Sequence, residues 1–462
     1  MEPMKRKQNE DGSNSHGSSG ENDVGLGRPA LLREVNARRV LRLLRLHGPC
    51  SRADLVRYSG LSAPTVSSSV AYLEKKRLVE PLGLGPSGGG RPPGLLRFNA
   101  KRGYVVGADI GTSVVRVAIA DLNGTVVDKW IGRTRSLSTP KRVVALIRSG
   151  IEKLQGLHRI PSPKLLALAA GVPGITDVRK GVVLSAPILT SGWNDIPLRQ
   201  ILEAETGIST AIENDVNLAA IGEGWLGVAR GVRDFVFLTI GTGVGAGIFV
   251  NGQLYHGSDW AAGEIGYLYV PGTGETPLAL RQPGSLESII GARGIQEAWQ
   301  KSGVGPANLN HSPGHAPGRA HGHSLGRAPG YHLAATEILT LAESGNTQAQ
   351  AILRQTARIL ADAITNVCLI LNSSLVVLGG RVGSQPALFD ATCRIVERNE
   401  FCRPRLALTA LGNEAPLDGA ICLALKCVER RILPSTVEAA PTLASEDSSG
   451  FFQPFLGLAP PN

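Results

Sequence analysis

From Tyr104 to about Leu433 the chain alternates short runs of β-branched residues with longer helical stretches. Alternation on this scale is typical of an α/β fold. A chain of 462 residues is too long for one hydrophobic core, so two or three domains are expected. With 42% hydrophobic and 19% charged residues, and no apolar run long enough to span a bilayer, the composition is that of a globular protein without membrane contact.

The net charge of +10 is concentrated in one segment ahead of this region. Residues 34–102 hold thirteen Lys or Arg and four Asp or Glu, a net charge of +9. A basic module joined to a nearly neutral body is typical of a DNA-binding domain attached to a second functional domain. A solvated basic face is the alternative on charge alone.

Three helices are predicted within the basic segment. The first ends at Gly48-Pro49, and the second begins after Ser51, an N-cap with Asp54 at the capping-box spacing. Gly60 ends the second helix and Ser62 caps the third. Helix, short turn and capped helix form the helix-turn-helix arrangement.

The third helix is predicted to enter the major groove of DNA. Val66, Val70 and Leu73 recur at helical spacing and form its buried stripe, so Ser69 is expected on another face with the other small hydroxyl residues. Short hydroxyl side chains approach base edges closely, and lysines at the far end suit phosphates.

A glycine-rich hairpin follows and resembles the wing of a winged helix. Residues 78–82 and 95–98 are predicted to pair around a tip that carries Arg91, which suits the minor groove or the DNA backbone. A protein-docking module is the alternative. The residues predicted to contact DNA are Arg52, Ser62, Thr65, Ser67, Ser68, Tyr72, Lys75, Lys76 and Arg91.

Three strands of the α/β region end in glycine turns, in the stretches 104–119, 237–252 and 375–383. Glycine and hydroxyl residues at strand ends offer backbone N–H groups to a phosphate. Simple tight turns are the alternative. The predicted nucleotide or phosphate contacts are Asp109, Gly111, Thr112, Gly241, Thr242, Gly243, Gly379 and Gly380.

Carboxylates mark a second set of polar loops. Asp215 stands at a strand–helix junction beside Asn214, where it can act as a general base or belong to a helix-capping cluster. Glu264 and Glu287 stand at the two ends of a loop rich in proline and glycine, an arrangement typical of contact with a small polar molecule.

Taken together, the motifs resemble the ROK family (repressors, open reading frames and sugar kinases), and more narrowly its regulators of the xylose-repressor and N-acetylglucosamine-repressor type. The resemblance spans roughly residues 34–433. It is carried by the basic module and by DIGTS (109–113), GVPG (171–174), ENDVN (213–217), GTGVGAGI (241–248), AGEIGY (262–267), GSLE (284–287) and LGGRVG (378–383).

This resemblance implies an N-terminal winged helix-turn-helix followed by a duplicated, two-lobed, RNase H-like (actin-like ATPase) sugar-kinase-type α/β domain with sugar and nucleotide in the cleft. In a kinase of the family Asp215 would be the catalytic base. Carboxylates suit sugars because each accepts several hydroxyl protons. The implied sugar contacts are Asn214, Asp215, Glu264, Tyr267 and Glu287.

The chain departs from the family pattern in two places. Tyr267 stands where the family has a zinc-binding histidine, and Leu278, Leu280 and Ser285 stand where it has three cysteines, so no structural zinc or other metal is expected. In the first phosphate loop, Val114 replaces the kinase lysine and Thr112 fills a glycine position. No cofactor is therefore expected to be required, and ATP with magnesium belongs only to a kinase alternative.

The expected organisation runs from a disordered tail (1–33) to a DNA-binding domain (34–102). A first lobe (103–215) and a second lobe (216–433) follow, then a second tail (434–462). The second lobe contains a segment rich in His, Gly and Pro (304–332), interpreted as a flexible surface loop rather than a metal site. Six cysteines without a CxxC pair, and an N-terminus without an apolar signal, favour the cytoplasm.

The sequence thus predicts a sugar-responsive transcriptional regulator, most simply a repressor of carbohydrate genes. Operator DNA, a sugar or sugar-phosphate effector and a second copy of the chain are the expected partners. An ATP-dependent sugar kinase, possibly bifunctional, is the alternative. A vestigial cleft is disfavoured because Asn214, Asp215, Glu264 and Glu287 are all present.

Overall fold

The computed structural model describes residues 28–86, 92–134, 139–189, 192–273, 283–302 and 333–432. The helices are α1 (Arg28–His47), α2 (Arg52–Ser59), α3 (Ala63–Lys75), α4 (Pro140–His158), α5 (Leu198–Thr206), α6 (Asp215–Trp225), α7 (Glu287–Ile290), α8 (Ala292–Lys301), α9 (Ala335–Glu343), α10 (Thr347–Leu371), α11 (Gly380–Gly383), α12 (Pro386–Val396) and α13 (Ala415–Ile432). The strands are β1 (Cys50–Ser51), β2 (Val79–Leu84), β3 (Gly94–Phe98), β4 (Tyr104–Ile110), β5 (Val114–Asp121), β6 (Val126–Arg133), β7 (Leu165–Val172), β8 (Ile175–Asp177), β9 (Val182–Ser185), β10 (Thr210–Asn214), β11 (Phe235–Ile240), β12 (Val244–Val250), β13 (Gln253–Leu254), β14 (Leu375–Gly379) and β15 (Arg405–Leu408).

The N-terminal module is a three-helix bundle with a small antiparallel sheet in the order β1-β3-β2. Ser51 and Asp54 form the predicted capping box, and Gly60 ends α2 in the left-handed conformation with φ 66°. The stripe Val66, Val70 and Leu73 on α3 is fully buried. Complete burial of such side chains is worth roughly 1.5–3 kcal/mol each, so this stripe holds α3 on the module.

Two details of the module differ from the sequence-based expectation. Ser69 is buried rather than displayed with the other hydroxyl residues of α3, because it lies directly beside Val70 and Val66 on the inward side of the helix. Helix α1 begins at Arg28, inside the segment 1–33 assigned to a tail; Pro29 is compatible with a first helical turn. The wing strands β2 and β3 pair as predicted, while the tip with Arg91 lies outside the described residues.

The α/β body consists of two five-stranded sheets with the same design. Their orders are β10-β7-β4-β5-β6 and β13-β12-β11-β14-β15. In each sheet three strands consecutive in sequence pair antiparallel, and two further strands join in parallel. The repeated topology agrees with the predicted duplicated, kinase-type α/β fold.

Helices α6 and α13 cross between the two sheets and form the centre of the molecule. Glycines permit this close crossing: a Cβ on Gly419 would lie 1.8 Å from the carbonyl oxygen of Leu218, and one on Gly222 would lie 2.4 Å from that of Ala415. Helix α13 also packs against β4 and β7 of the first sheet. The last helix of the predicted second lobe therefore shares the core of the first lobe, and the proposed boundary at residues 215 and 216 stays a prediction.

The N-terminal module meets the body at a junction formed by Arg45, Phe98, Leu122 and Ile432. The Arg45 Nη2 donates to the carbonyl oxygen of Leu122 at 2.9 Å, and the guanidinium lies 4.9 Å from the centre of the Phe98 ring. Phe98 and Ile432 pack against the cores of both the module and the body. The two parts thus share apolar contacts and a buried cation.

The predicted loop 304–332 and tail 434–462 fall outside the described residues. Across the part of the chain that the structure describes, every helix is too short or too polar to cross a membrane.

Candidate functional site

A cleft of about 740 Å³ opens where the strands of the two sheets end. Such crevices at the carboxyl ends of strands are the usual ligand sites of α/β folds. All the predicted sugar contacts line it: Asn214, Asp215, Glu264, Tyr267 and Glu287. Most of the predicted phosphate contacts line it too: Asp109, Gly111, Thr112, Gly241, Thr242, Gly243 and Gly380.

Gly379 is not among the lining residues. It lies within β14, and a Cβ at this position would approach the Phe237 ring at 2.4 Å. Its neighbour Gly380 begins α11 with φ 78°, close to the carbonyl oxygen of Ile240. Gly379 is therefore a packing glycine, while Gly380 belongs to the rim of the cleft. Which of these residues contact a ligand stays a prediction.

Asp215 is the first residue of α6 and lies half-buried at the cleft wall. Its Oδ1 accepts the N–H of Val216 at 2.9 Å. The neighbouring Asn214 is the N-cap: its Oδ1 accepts the N–H groups of Val216 and Asn217, and its Nδ2 donates to Gly174 at 3.0 Å. The capping interpretation is therefore correct for Asn214, and this cap places the Asp215 carboxylate at the positive end of the helix.

Glu264 and Glu287 reach the cleft from opposite ends of the loop that separates them. Glu287 Oε2 accepts the N–H of Val244 at 3.0 Å, which ties this carboxylate to the second glycine turn. Glu264 follows Gly263, whose φ is 91° and whose Cβ, if present, would lie 1.9 Å from the carbonyl oxygen of Ala246. Only glycine permits this approach, so Gly263 sets the direction in which Glu264 enters the site.

The three carboxyl groups share a poorly solvated environment. Burial raises the pKa of Asp215 to about 7, with further contributions from the charges of Asp109 and Glu264. Burial and the charge of Glu287 raise the pKa of Glu264 to about 7. Burial also raises the pKa of Glu287, although the bond from Val244 opposes this. Clustered carboxyls with raised pKa values in a cleft are typical of functional sites.

Asp109, at the end of β4, is paired with a residue that the sequence analysis did not identify. Arg116 on β5 stands directly opposite Asp109 in the strand register, and its Nη1 lies 2.7 Å from Asp109 Oδ2. Burial raises the pKa of Asp109, while the Arg116 charge acts in the opposite direction. The tight turn 111–113 between the two strands was the available signal, since it sets the register that joins this pair.

The first turn of each sheet is closed by its own backbone. The N–H of Gly111 donates to Val114 and that of Gly241 to Gly243, both at 2.9 Å. These two N–H groups are therefore engaged within their turns. The following residues, Thr112 and Thr242, line the cleft.

Several of the predicted DNA contacts on the N-terminal module are exposed to solvent. Ser67, Ser68 and Lys75 are exposed along α3. Ser62 caps this helix, and its hydroxyl lies 2.8 Å from that of Thr65.

Three further DNA candidates have partners within the module. Lys76 Nζ lies 5.3 Å from the centre of the Tyr72 ring. Arg52 lies 3.2 Å from Glu74, an exposed ion pair that costs little to open on binding a phosphate. Each of these contacts with DNA stays a prediction.

Two protein-family models match the chain, one in the α/β body and one in the N-terminal module. The ROK family model matches residues 105–427, and the MarR family model matches residues 34–85. The chain belongs to the ROK family. The second match agrees with a winged helix-turn-helix at its N-terminus.

Relatives in the ROK family include both regulators and kinases. The xylose repressor of Caldicellulosiruptor bescii is 25% identical over 410 residues, covering 87% of this chain and 98% of that protein. The glucokinase of Halalkalibacterium halodurans is 29% identical over 328 residues, covering 68% of this chain and 93% of that protein. The solved structure of a ROK family transcriptional regulator, a homolog of the E. coli MLC protein, has 19% identity and a TM-score of 0.67, covering 93% of this chain and all of that one.

At the place where the ROK family pattern has a zinc site, the described residues of this chain offer hydroxyl groups instead of the usual metal ligands. The Ser285 hydroxyl accepts the N–H of Val270 at 3.2 Å and is hydrogen-bonded to Thr273. Leu278 and Leu280 lie outside the described residues. Within the described ranges, no three His, Cys, Asp or Glu side chains are grouped to hold a metal ion. The residues present at these positions do not fit zinc, because hydroxyl and alkyl groups are poor zinc ligands.

Proposed function

We propose that this ROK family chain is a sugar-responsive transcriptional repressor, in which a sugar bound between the lobes changes the affinity of the N-terminal module for an operator. The observation that carries the proposal is the combination, in one chain, of a MarR-type module and a cleft with three carboxyl groups of raised pKa. The match to the xylose repressor supports it, since that match covers both parts.

The cleft suits a polyhydroxylated ligand. Asp215, Glu264 and Glu287 all line it, and a sugar offers hydroxyl protons to each carboxyl group. Asp215 and Glu264 are in no ion pair among the described residues, so their acceptor capacity is available to a ligand. The sugar contacts are accordingly Asn214, Asp215, Glu264, Tyr267 and Glu287.

The kinase alternative is less well supported. Phosphoryl transfer needs cationic groups that neutralise the phosphates. The first phosphate loop has Val114 in place of the family lysine, and the Asp109 carboxylate is already paired with Arg116. We therefore propose that ATP and magnesium are not required, and that Asp215 binds the sugar rather than removing a proton from it.

Coupling requires only that the sugar bind one lobe arrangement better than the other. Helix α6 starts at Asp215 and packs along α13, and α13 ends beside the junction with the N-terminal module. A shift of α6 at the cleft can thus be passed to α1 through the contacts of α13. We further propose that the repressor acts as a homodimer, since a pair of winged helices reads a two-fold operator.

The test is an operator titration followed by electrophoretic mobility shift. Purified protein is titrated on the DNA upstream of its own gene, then again with D-xylose, D-glucose, N-acetylglucosamine and the 6-phosphates of the hexoses, without ATP. We expect one sugar to release the DNA. A Lys75→Glu variant, exposed on α3, controls for non-specific retention and is expected to bind the operator weakly with or without sugar.

Two results would contradict the proposal. Operator binding that no sugar alters would remove the sensor role of the cleft. Consumption of ATP with a sugar of the same panel, lost in Asp215→Asn, would establish the kinase alternative.

A further inference from the structure

Two side-chain contacts beside the cleft hold the loop 255–262 of the second lobe against the first lobe. His256 Nε2 lies 2.8 Å from Glu213 Oε2, and Glu213 is the penultimate residue of β10, two residues before Asp215. Four residues further along the loop, the Trp260 ring lies beneath the Arg179 guanidinium at 5.4 Å. Arg179 belongs to the turn between β8 and β9 of the first lobe.

Glu213 is itself fixed by hydrogen bonds, so it can hold the His256 ring in place. Its carboxylate is buried and accepts the Asn217 side-chain amide and the N–H of Asn214, both at 2.9 Å. Both donors belong to the N-terminal turn of α6, which carries Asp215. The His256 ring is thus attached to the same small framework that positions Asp215 and Asn214.

The other end of the loop positions Glu264. The N–H of Ala262 donates to the carbonyl oxygen of His256 at 3.2 Å and closes the loop on itself. Within it, the Trp260 ring packs edge-on against His256 at 5.4 Å, and Trp260 has a φ of 64°, rare for an aromatic residue. Gly263 and Glu264 follow directly, so the path of this loop sets where the Glu264 carboxylate lies.

We propose that His256 is a positioning residue: through Glu213 it holds Glu264 of the second lobe opposite Asp215 of the first, so that both carboxylates meet one sugar. His256 is not among the residues that line the cleft. The Trp260–Arg179 contact holds the same loop from its far side. This inference rests on the proposed function, since it assigns the group that assembles the sugar site.

The experiment measures sugar affinity and operator affinity separately in the full-length protein. Isothermal titration with D-xylose and with D-glucose gives the sugar Kd, and mobility shift without sugar gives the operator Kd. His256→Ala is expected to weaken sugar binding roughly tenfold, since small misplacements of a polar group are costly. Its operator affinity without sugar should be unchanged.

Two variants separate positioning from a general loss of structure. His256→Gln keeps an N–H donor near the place of Nε2 and should restore sugar affinity to within about threefold of the native protein. His158→Ala is the matched control, because His158 Nε2 also lies 2.8 Å from a carboxylate, that of Asp128, away from the cleft. It should leave both affinities unchanged.

If His256→Ala does not fold, Arg179→Met tests the same loop from an exposed position, with an expected two- to threefold loss of sugar affinity. Native sugar affinity in His256→Ala or, failing that, in Arg179→Met would overturn the positioning role. Equal losses in His256→Ala and His256→Gln would also overturn it, since the hydrogen bond would then be irrelevant. A native protein that responds to neither sugar nor sugar phosphate would instead overturn the proposed function, and this inference with it.

Discussion

The cleft and the junction with the N-terminal module both take charged groups out of water, and they compensate them differently. At the junction, Arg45 donates to the Leu122 carbonyl, lies over the Phe98 ring and is near the carboxylates of Glu429 and Asp121. In the cleft, Asp215 and Glu264 face mainly other acids. A charge with nearby partners stabilises one arrangement of the protein. Partly buried carboxyl groups without such partners leave hydrogen-bond acceptors that a ligand can satisfy.

The same contrast exists within the cleft. Asp109 lies near the end of one strand of the first sheet and Asp215 follows another, yet Asp109 is paired with Arg116 and Asp215 has no cation beside it among the described residues. The pairing makes Asp109 part of the framework. It leaves Asp215 as the more available acceptor for a ligand.

The largest effect is expected for Asp215→Asn. Replacing one carboxylate oxygen by an amide removes an acceptor and introduces a donor that opposes the sugar hydroxyl, so sugar affinity should fall about 100-fold or more. Operator binding without sugar should persist, because Asp215 is remote from α3. Calorimetric titration and mobility shift check the two parts, and a native sugar response in this variant would exclude Asp215 from the sugar site.

Arg45→Met should have the next largest effect. The substitution leaves the Leu122 carbonyl without its donor and removes the cation near Glu429 and Asp121, so the free energy of unfolding should fall by about 2 kcal/mol. We also expect a weaker effect of sugar on operator affinity, because the junction connects α13 to α1. Denaturant unfolding and sugar-dependent mobility shifts measure these changes.

Arg39→Met is the matched control for the junction, since Arg39 lies exposed on the same helix. It should change the free energy of unfolding by less than about 0.5 kcal/mol. A full sugar effect on operator binding in Arg45→Met would restrict Arg45 to a stabilising role.

A smaller effect is expected from pH. The pKa values of Asp215 and Glu264 are both raised to about 7, and their ionised forms are the better acceptors for sugar hydroxyls. Sugar affinity should therefore increase from pH 6 to pH 8, by about tenfold if one ionisation controls binding. Titrations across this range in the native protein and in Glu264→Gln provide the measurement. A flat profile would mean that the neutral carboxyls bind sugar equally well.

How far the sequence could anticipate this molecule depends on the kind of contact. Ser51, Asp54, Gly60 and the α3 stripe were predictable because caps and helical periodicity act within a few residues. The buried position of Ser69 was not predictable in this way, because the buried face of α3 includes a small polar residue beside the apolar stripe. The cleft carboxylates were found from their places at a strand–helix junction and at the ends of a loop, and the family resemblance assigned them to a sugar.

The missed residues depend on pairing between elements rather than on periodicity within one element. Arg116 and Asp109 are seven residues apart and meet through the β4–β5 register, whereas Arg45 reaches the Leu122 carbonyl, 77 residues away, because α1 packs on a turn of the body. His256 meets Glu213 across 43 residues of sequence. No local pattern around Arg45 or His256 indicates its partner.

The smallest predicted effect is on the stability of the sugar-free protein and follows from the same raised pKa. Asp215 in the folded state has a pKa of about 7, above its unfolded value of 3.8, so the folded state binds the extra proton between those two values. This contribution to stability is full below about pH 4 and is lost as the pH rises towards 7.

Asparagine resembles the neutral acid and does not ionise, so Asp215→Asn should match the native protein near pH 4 and exceed it in melting temperature at pH 8. The partial contact of Asp215 with solvent reduces the gain to about 1 kcal/mol. Asp109→Asn should instead lower the melting temperature, because it leaves the Arg116 guanidinium without its carboxylate. Equal behaviour of the two variants would mean that pairing does not distinguish these aspartates, and that the contrast between framework and ligand site lies elsewhere in the cleft.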